Sequence, residues 1–321
     1  MRRNRLLLFA ITLILICLGV VMIYSASSSY GLERYKDSAF FFKRHLVYLV
    51  LGFIISLVIM SVDYRFFQKH SRVFLVISFF LLILVLIPHI GREIGGAKRW
   101  FRLGMLSFQP SEFAKFSVIV YMADALSRRQ ERLRNFLYGF IPPMFILGCC
   151  VGLVLLQPDL GTAIAITLIV FIMFFVAGIK LIHIFPVVLS SLPVLYALVF
   201  NVAYRRKRIF AFLNPWEDPK GIGFQIIQSF IALGSGGLFG VGLGKSRQKL
   251  LYLPAAHTDF IFSIIGEELG FIGSATIILL FVLFILCATK IILNSSDRFS
   301  QLLGLGIISM IALEAMINIG V

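Results

Sequence analysis

Long apolar segments recur along this 321-residue chain and constrain its fold more than any other feature. A helix needs about 20 apolar residues to cross the roughly 30 Å hydrocarbon core of a bilayer. Segments of that length are residues 6–25, 46–63, 72–90, 112–127, 136–156, 160–179, 183–203, 260–289 and 299–321. Hydrophobic residues make up 60% of the chain, more than a soluble domain needs. The sequence therefore predicts an all-α polytopic membrane protein, with nine transmembrane helices in one domain over residues 1–321.

The orientation of these spans rests on the distribution of Lys and Arg. Positive residues cluster at the N-terminus and at 128–134, which favours a cytoplasmic N-terminus. With that orientation the outer side receives more Lys and Arg than the cytoplasmic side, so an anionic partner is expected at the outer face. Attraction to acidic lipid headgroups is the alternative, and for residues 205–208 it explains the charge at least as well. No nucleic-acid partner is expected.

One connection, residues 204–258, is far longer than the others and is predicted to be a large extracytoplasmic loop. Residues 224–233 have the apolar spacing of a short helix that lies on the membrane surface. Six glycines follow within residues 234–244 and allow the backbone to bend or to approach a ligand closely. A nucleotide-binding P-loop would need a glycine where Phe239 stands, so that function is excluded.

Three cations follow the glycines at alternate positions, and in an extended chain they would share one face. They are Lys245, Arg247 and Lys249.

Span eight begins beside His257, Thr258 and Asp259, and Glu267 and Glu268 lie roughly 12–13 Å deeper along it. Charged side chains inside a membrane are costly. We predict that the two Glu are structural and pair with a cation of another helix, with a functional role as an equal alternative. Asp259 lies at the rim, where an acid–base group would reach a substrate at the membrane surface. A helix N-cap is the alternative for Asp259 or Thr258.

Spans four and six also begin with charged residues. Lys115 lies about one turn inside span four, three residues after Glu112. An internal ion pair of these two is weighed against a cation that binds a phosphate. Asp159 precedes span six, and an N-cap explains it better than a ligand contact does.

Four separated motifs, in this order, resemble those of the SEDS family. They are Gly96-Ala97-Lys98-Arg99-Trp100, Gln109-Pro110-Ser111-Glu112 with Lys115, Gln157-Pro158-Asp159-Leu160-Gly161-Thr162, and Leu253-Pro254-Ala255-Ala256-His257-Thr258-Asp259-Phe260 followed by Gly266-Glu267-Glu268. The resemblance covers residues 8–321 and is closer to the family's division branch than to its elongation branch. Two positions depart from the pattern: Ala255 stands where the family usually has Glu, and Glu314 where it usually has Gln. Family members have ten spans, one more than the sequence predicts here.

The resemblance implies a membrane-embedded, inverting peptidoglycan glycosyltransferase that polymerises lipid II on the outer face of the cytoplasmic (inner) membrane at the division septum. It also implies a class B penicillin-binding protein of the FtsI type and other divisome membrane proteins as partners. The family's catalytic Asp corresponds to Asp259, and its functionally important Trp, Glu and Lys correspond to Trp100, Glu112 and Lys115. A lipid II flippase and a non-catalytic divisome scaffold are the alternatives.

In the mechanism that fits these residues, Asp259 takes the proton of the attacking sugar hydroxyl while cations bind the departing diphosphate. The residues predicted to bind substrate are Arg99, Trp100, Glu112, Lys115, Lys245, Arg247, Lys249, His257 and Thr258. The sequence specifies no cofactor, although an Asp beside a diphosphate would suit a divalent cation such as Mg²⁺ or Mn²⁺.

Overall fold

The computed structural model describes residues 2–94, 97–103, 106–128, 133, 135–249 and 258–320. Its helices are α1 (Arg2–Tyr35), α2 (Phe40–Ser61), α3 (Tyr64–Lys69), α4 (Ser71–Leu84), α5 (Pro110–Arg128), α6 (Ile141–Leu156), α7 (Leu160–Ala177), α8 (Leu181–Phe200), α9 (Ala203–Leu213), α10 (Phe224–Ser235), α11 (Ile261–Leu293) and α12 (Arg298–Gly320). A π-helical turn, Phe136–Phe140, leads into α6, and a 3₁₀ turn, Pro215–Glu217, lies between α9 and α10. The predicted all-α class is confirmed, because the described secondary structure is almost entirely helical. The described strands form only one small sheet.

Seven of the described helices are long and apolar enough to cross a membrane, namely α1, α2, α6 with its π-helical turn, α7, α8, α11 and α12. They coincide with seven of the nine predicted spans. The other two predicted spans coincide with α4, which has only 14 residues, and with α5, which has 19 residues but contains four charged side chains. The count of nine therefore stays a prediction.

The chain divides into two compact units. Unit 1 comprises Met1–Leu57, Ser190–Cys287 and Glu314–Val321, and unit 2 comprises Val58–Leu189 and Ala288–Leu313. The single domain over residues 1–321 stays a prediction. Each unit has its own apolar core.

The core of unit 2 is built around α5. Phe140, Phe174 and Phe299 are its largest fully buried side chains, and the rings of Phe140 and Phe174 meet edge to face at 5.6 Å. Gly306 of α12 permits close packing, because a Cβ there would lie 2.5 Å from the Ile119 side chain of α5. The burial of α5 places its polar first turn at a fixed position in unit 2.

The core of unit 1 lies between α1 and α11. Met22 and Ala26 of α1 belong to it, together with Ile264 and Ile277 of α11 and with Phe260, which directly precedes that helix. The start of α11 is thereby fixed to α1 by apolar contacts.

The long loop contains more helix than the sequence predicted. The short helix expected over residues 224–233 is present as α10. A second helix, α9, holds the basic run 205–208 and was not predicted.

A three-stranded antiparallel sheet lies in the connection between α4 and α5, and it was not predicted either. Its strands are β1 (Arg92–Ile94), β2 (Ala97–Leu103) and β3 (Leu106–Phe108), in the order β1-β2-β3. Arg92 pairs with Trp100, and Phe101 pairs with Phe108 across the sheet. The sheet sets Arg99 and Trp100 on its central strand.

Candidate functional site

Asp259 lies in the turn that precedes α11, and its side chain is exposed. Within the described part of the chain no residue donates a hydrogen bond to its carboxylate, so capping of α11 does not occupy it there. Thr258 is exposed as well, and His257 lies outside the described residues. Phe260, the next residue, is buried in the core of unit 1. Its packing fixes the backbone beside the exposed Asp259.

Glu268 forms a buried ion pair with Lys249 of the long loop. Lys249 Nζ lies 2.9 Å from Glu268 Oε1, and neither side chain is more than 6% exposed. The Ser25 hydroxyl of α1 lies 2.7 Å from Glu268 Oε2 and 3.2 Å from Lys249 Nζ. The predicted pairing with a cation is therefore found, but the cation comes from the loop and not from another helix.

Glu267 binds the same part of the loop. Its buried carboxylate accepts hydrogen bonds from the Ser246 hydroxyl and, at 2.8 Å, from Arg247 N. Ser246 Oγ in turn accepts a hydrogen bond of 3.2 Å from Lys249 N. The two adjacent carboxylates thus anchor residues 246–249, and loss of either would leave buried donors unpaired at about 1–3 kcal/mol each.

Helix α11 is broken at Gly270, whose φ is +67°, and the glycine-rich part of the loop fills the break. Four backbone hydrogen bonds join the two segments: Val241 N to Glu267 O (2.9 Å), Gly242 N to Glu268 O (3.1 Å), Phe271 N to Gly237 O (2.9 Å) and Ile272 N to Leu238 O (3.2 Å). Backbone groups freed inside a membrane need such partners, because the hydrocarbon offers none. The loop supplies hydrogen-bond partners to the backbone groups that the break in α11 leaves without helical partners.

The glycines are required for this close approach. A Cβ on Gly240 would lie 2.2 Å from the Glu268 carbonyl oxygen, and one on Gly236 would lie 1.9 Å from the Gly266 carbonyl oxygen. The sequence allowed two roles for the glycines, a bend of the backbone or a close approach to a ligand. At Gly236 and Gly240 the role is close approach, and the backbone approaches helix α11.

The three cations after the glycines do not share one face, because the chain is not extended here, which was the condition of that prediction. Lys245 and Arg247 are exposed, whereas Lys249 is buried against Glu268. The backbone turns instead of extending, because Lys245 N donates to Gly242 O at 3.1 Å and Gly244 has a φ of +76°. Lys245 and Arg247 face outward, while Lys249 already has an anionic partner.

The sequence alone did not predict the contacts of Ser25 and Ser246 with the two Glu. Ser25 lies 243 residues from Glu268 in the chain, so no local spacing relates the two. The available signal was a run of small polar residues within an apolar span, which is typical of a helix contact inside a membrane.

Glu112 and Lys115 of α5 form the ion pair that was weighed from their spacing. Lys115 Nζ lies 2.7 Å from Glu112 Oε2, with Lys115 5% exposed and Glu112 52% exposed. A lysine has three N–H donors, so this pair and a contact to a phosphate are compatible. The Lys115 ammonium is therefore buried, whereas the Glu112 carboxylate is accessible at the surface of unit 2.

Arg99 on β2 binds the connection between α6 and α7. Its guanidinium donates to the Gln157 carbonyl at 3.0 Å and to the Pro158 carbonyl, and Nη1 lies 3.9 Å from Asp159 Oδ1. Asp159 caps α7 by accepting a hydrogen bond of 3.2 Å from Thr162 N, so the predicted N-cap is confirmed.

Gln109 links the same cluster to α5. Its Nε2 donates to Asp159 Oδ2 at 3.2 Å and to Ser111 Oγ at 2.9 Å. Three of the four motifs therefore meet in unit 2, while the fourth, with Asp259, belongs to unit 1. Trp100 is half-buried beside Arg99 on β2.

A divalent cation would find few protein ligands in the described residues, where no three His, Cys, Asp or Glu side chains come together. The Asp259 carboxylate, which is not hydrogen-bonded to any described residue, could contribute one or two oxygens. Mg²⁺ at phosphate sites usually takes one or two carboxylates and fills its shell with phosphate oxygens and water, so Asp259 fits that mode.

This sequence is similar to known proteins over nearly its whole length. Residues 5–321 match the profile of the cell cycle protein family FtsW/RodA/SpoVE. A probable peptidoglycan glycosyltransferase FtsW of Geobacter sp. is 46% identical over 308 residues, which cover 96% of this chain and 84% of that relative. Stage V sporulation protein E of Bacillus subtilis is also 46% identical, over 98% of this chain and 86% of its own.

Solved structures agree with the sequence matches. A chain of a peptidoglycan synthase complex, described for its coordination of polymerization and crosslinking, superposes with a TM-score of 0.75 at 29% identity, over 96% of this chain and 87% of that one. The rod shape determining protein RodA of Thermus thermophilus superposes with a TM-score of 0.70 at 28% identity, over 98% and 83% respectively.

Proposed function

This chain belongs to the FtsW/RodA/SpoVE family of cell cycle proteins and is a peptidoglycan glycosyltransferase, and we propose that it polymerises lipid II with Asp259 as its general base. The observation that carries the assignment of Asp259 is its placement. Its carboxylate is exposed and unpaired among the described residues. Glu267 and Glu268 of the same motif are instead buried, and their carboxylates are bound to residues of the loop.

In the proposed step, the 4-hydroxyl oxygen of one GlcNAc attacks C1 of a lipid-linked MurNAc. The bond from C1 to the diphosphate breaks as the new glycosidic bond forms, and Asp259 accepts the hydroxyl proton. A single displacement of this kind inverts the configuration at C1. The diphosphate departs as an anion, so cations that bind it favour the transition state.

Lys115, Arg99, Lys245 and Arg247 are proposed to bind the diphosphate, with Trp100 against a sugar ring. Lys245 and Arg247 support this assignment by their exposure and Lys115 by its partly open ion pair. Lys249 differs, because its ammonium is buried against Glu268, and we assign it to holding the loop before Asp259.

The flippase alternative has one structural feature in its favour. Broken helices with buried charges are typical of transporters, where the break lines a substrate or ion site. Here the broken segment of α11 is bonded to the loop instead, and the Glu268 charge is matched by Lys249. A flippase also leaves Asp259 without a chemical task, and so does a scaffold.

We further propose a class B penicillin-binding protein of the FtsI type as partner, with other divisome membrane proteins around it. Support comes from the structural likeness to a chain of a peptidoglycan synthase complex. The protein is multi-pass. Its proposed location is the cytoplasmic membrane at the division septum, with a cytoplasmic N-terminus and the active site on the outer face.

The test is Asp259→Asn, which removes the base with little change of shape. General-base catalysis contributes about 10²- to 10⁴-fold, so we expect polymerisation of lipid II by the purified protein and its partner to fall at least about 100-fold. Folding and partner binding should be retained. Glu217→Gln is the matched control, since it neutralises another exposed carboxylate of the same loop. Wild-type glycan synthesis by Asp259→Asn would remove this residue from the mechanism.

A further inference from the structure

Unit 2 contains a polar pocket that the proposed reaction does not use. It has a volume of about 420 Å³ and lies where α3, the start of α4 and the end of α5 come together. The described residues that line it are Arg65, Gln68 and Lys69 of α3, Ser71 and Arg72 of α4, and Asp124 and Arg128 of α5. Four of the seven are cations and one is an acid, so the pocket is strongly positive.

Asp124 is the single acid among the described lining residues, and it is already neutralised. Asp124 is buried, and its two carboxylate oxygens accept hydrogen bonds from Arg128 Nε at 2.6 Å and from Ser71 Oγ at 2.9 Å. Removing either contact would leave one oxygen of this buried carboxylate without a donor, so Asp124 holds Arg128 and the start of α4 in place. Three cations of the pocket remain to be accounted for.

These three cations are exposed and only partly balanced by nearby acids. A hydrogen bond with Tyr64 and the charges of Asp63 and Asp297 raise the pKa of Arg65, so two acids share its charge. Among the described residues neither Lys69 nor Arg72 has an ion pair. A pocket with this surplus would attract an anion of the size of a phosphate group.

The surroundings of the pocket indicate which anion it suits. Phe66 lies on α3 between the cations, and Val73 directly follows Arg72; both are exposed. In a membrane protein, exposed apolar side chains beside cations match a ligand that has a charged headgroup and apolar tails.

We propose that this pocket binds the phosphate of an anionic phospholipid headgroup. Pockets for small ligands have volumes of about 300–1,000 Å³, so this one is large enough for a glycerophosphate group. Arg65 and Lys69 are four residues apart and lie on one face of α3, while Arg72 and Arg128 approach from the other two helices. Arg65, Lys69 and Arg72 thus come from two helices, and Arg128, which is paired with Asp124, lies beside them on the third. The positive charge therefore does not belong to the surface of one helix.

Native mass spectrometry of the purified protein, titrated with dioleoylphosphatidylglycerol or with dioleoylphosphatidylcholine, tests the proposal. The first bound phosphatidylglycerol should bind more tightly than phosphatidylcholine. Each cation near a charged headgroup is worth about fivefold in affinity, so Arg65→Gln with Arg72→Gln should weaken that first binding roughly 25-fold. Both side chains are exposed, and an unchanged Tm is expected for the pair of substitutions.

Arg2→Gln with Arg3→Gln is the control, because it removes the same charge from exposed positions at the start of another helix. An equal loss in the control would overturn the proposal, since overall charge would then explain the binding. Two competitors distinguish other sources: displacement by water-soluble glycerol 3-phosphate at micromolar concentration, or by an acidic peptide, would show that the ligand is not a lipid. Tighter binding of lipid II than of phosphatidylglycerol through the same residues would contradict it too and would make the pocket part of the substrate path.

Discussion

Lys115 has two candidate tasks, and they affect different measurable quantities. Its ion pair with the half-exposed Glu112 would contribute to stability, because the Lys115 ammonium is buried and needs an anionic partner. A contact with the diphosphate of the substrate would instead affect binding.

We expect Lys115→Met to raise the KM for lipid II roughly 10- to 100-fold, the value of a hydrogen bond to a charged group, with a smaller change in kcat. Steady-state polymerisation with the partner protein measures both constants. Lys43→Met is the matched control, because Lys43 forms a 2.7 Å ion pair with Asp37 at an exposed position. A loss of kcat alone at saturating lipid II would exclude the phosphate role, and a large drop in Tm would favour the structural pair.

Single residues were predictable from the sequence where their contacts are local. The N-cap of Asp159 reaches three residues along the chain, and the pair of Glu112 with Lys115 spans one helical turn. The partner of Glu268 was not predictable, since Lys249 reaches it only because the loop folds back into a break in α11. Capping and turn spacing are encoded locally, whereas that pairing depends on tertiary structure.

At the scale of elements, the spans were predicted because hydrophobicity over 20 residues is a strong signal. The sheet β1–β3 was missed because strands of three and seven residues with mixed polarity give almost no periodic signal. The break in α11 was missed for a related reason. Gly270 lies in an apolar helical pattern, and its positive φ is set by the loop segment that bonds to both sides of it.

The contact between the loop and the broken helix predicts an ordered series of glycine substitutions. Gly240→Ala should lower the stability most, by more than about 2 kcal/mol, because its φ is +79° and a Cβ would clash with the Glu268 carbonyl. Gly237→Ala should cost about 1–2 kcal/mol, since its φ is +54° but the space is open.

Gly234→Ala is the control of that series, because Gly234 lies in α10 with nothing within 4 Å of a Cβ. It should be neutral or stabilise by up to about 1 kcal/mol. Thermal unfolding of the purified variants gives the order of stabilities. If Gly240→Ala unfolds at the wild-type temperature, the backbone hydrogen bonds between loop and helix do not hold the break.

At the scale of the whole molecule, polar groups distant in sequence are joined in unit 1 by one buried network. Ser25 comes from α1, Ser246 and Lys249 from the loop, and Glu267 and Glu268 from α11. Asp259 lies beyond this anchored part of the loop, in the turn before the helix that carries both carboxylates. The network therefore holds residues 246–249 against α11, while Asp259 at the rim is left exposed for chemistry.

Glu268→Gln tests whether the buried network only anchors the loop while Asp259 alone serves the proton chemistry. The substitution keeps a group that can bond to Ser25 but removes the charge that balances Lys249, and breaking a buried ion pair from one side costs about 3–5 kcal/mol. We expect a lower Tm or weaker coupling to the partner protein, with the pH dependence of polymerisation unchanged, because Glu268 lies roughly 13 Å from Asp259 along the helix. Lys249→Met combined with Glu268→Gln should recover part of the lost stability, since no unbalanced charge then remains. A shifted pH profile with a normal Tm would instead show that the deep carboxylates take part in proton transfer, and the separation of an exposed base from a buried anchor would be wrong.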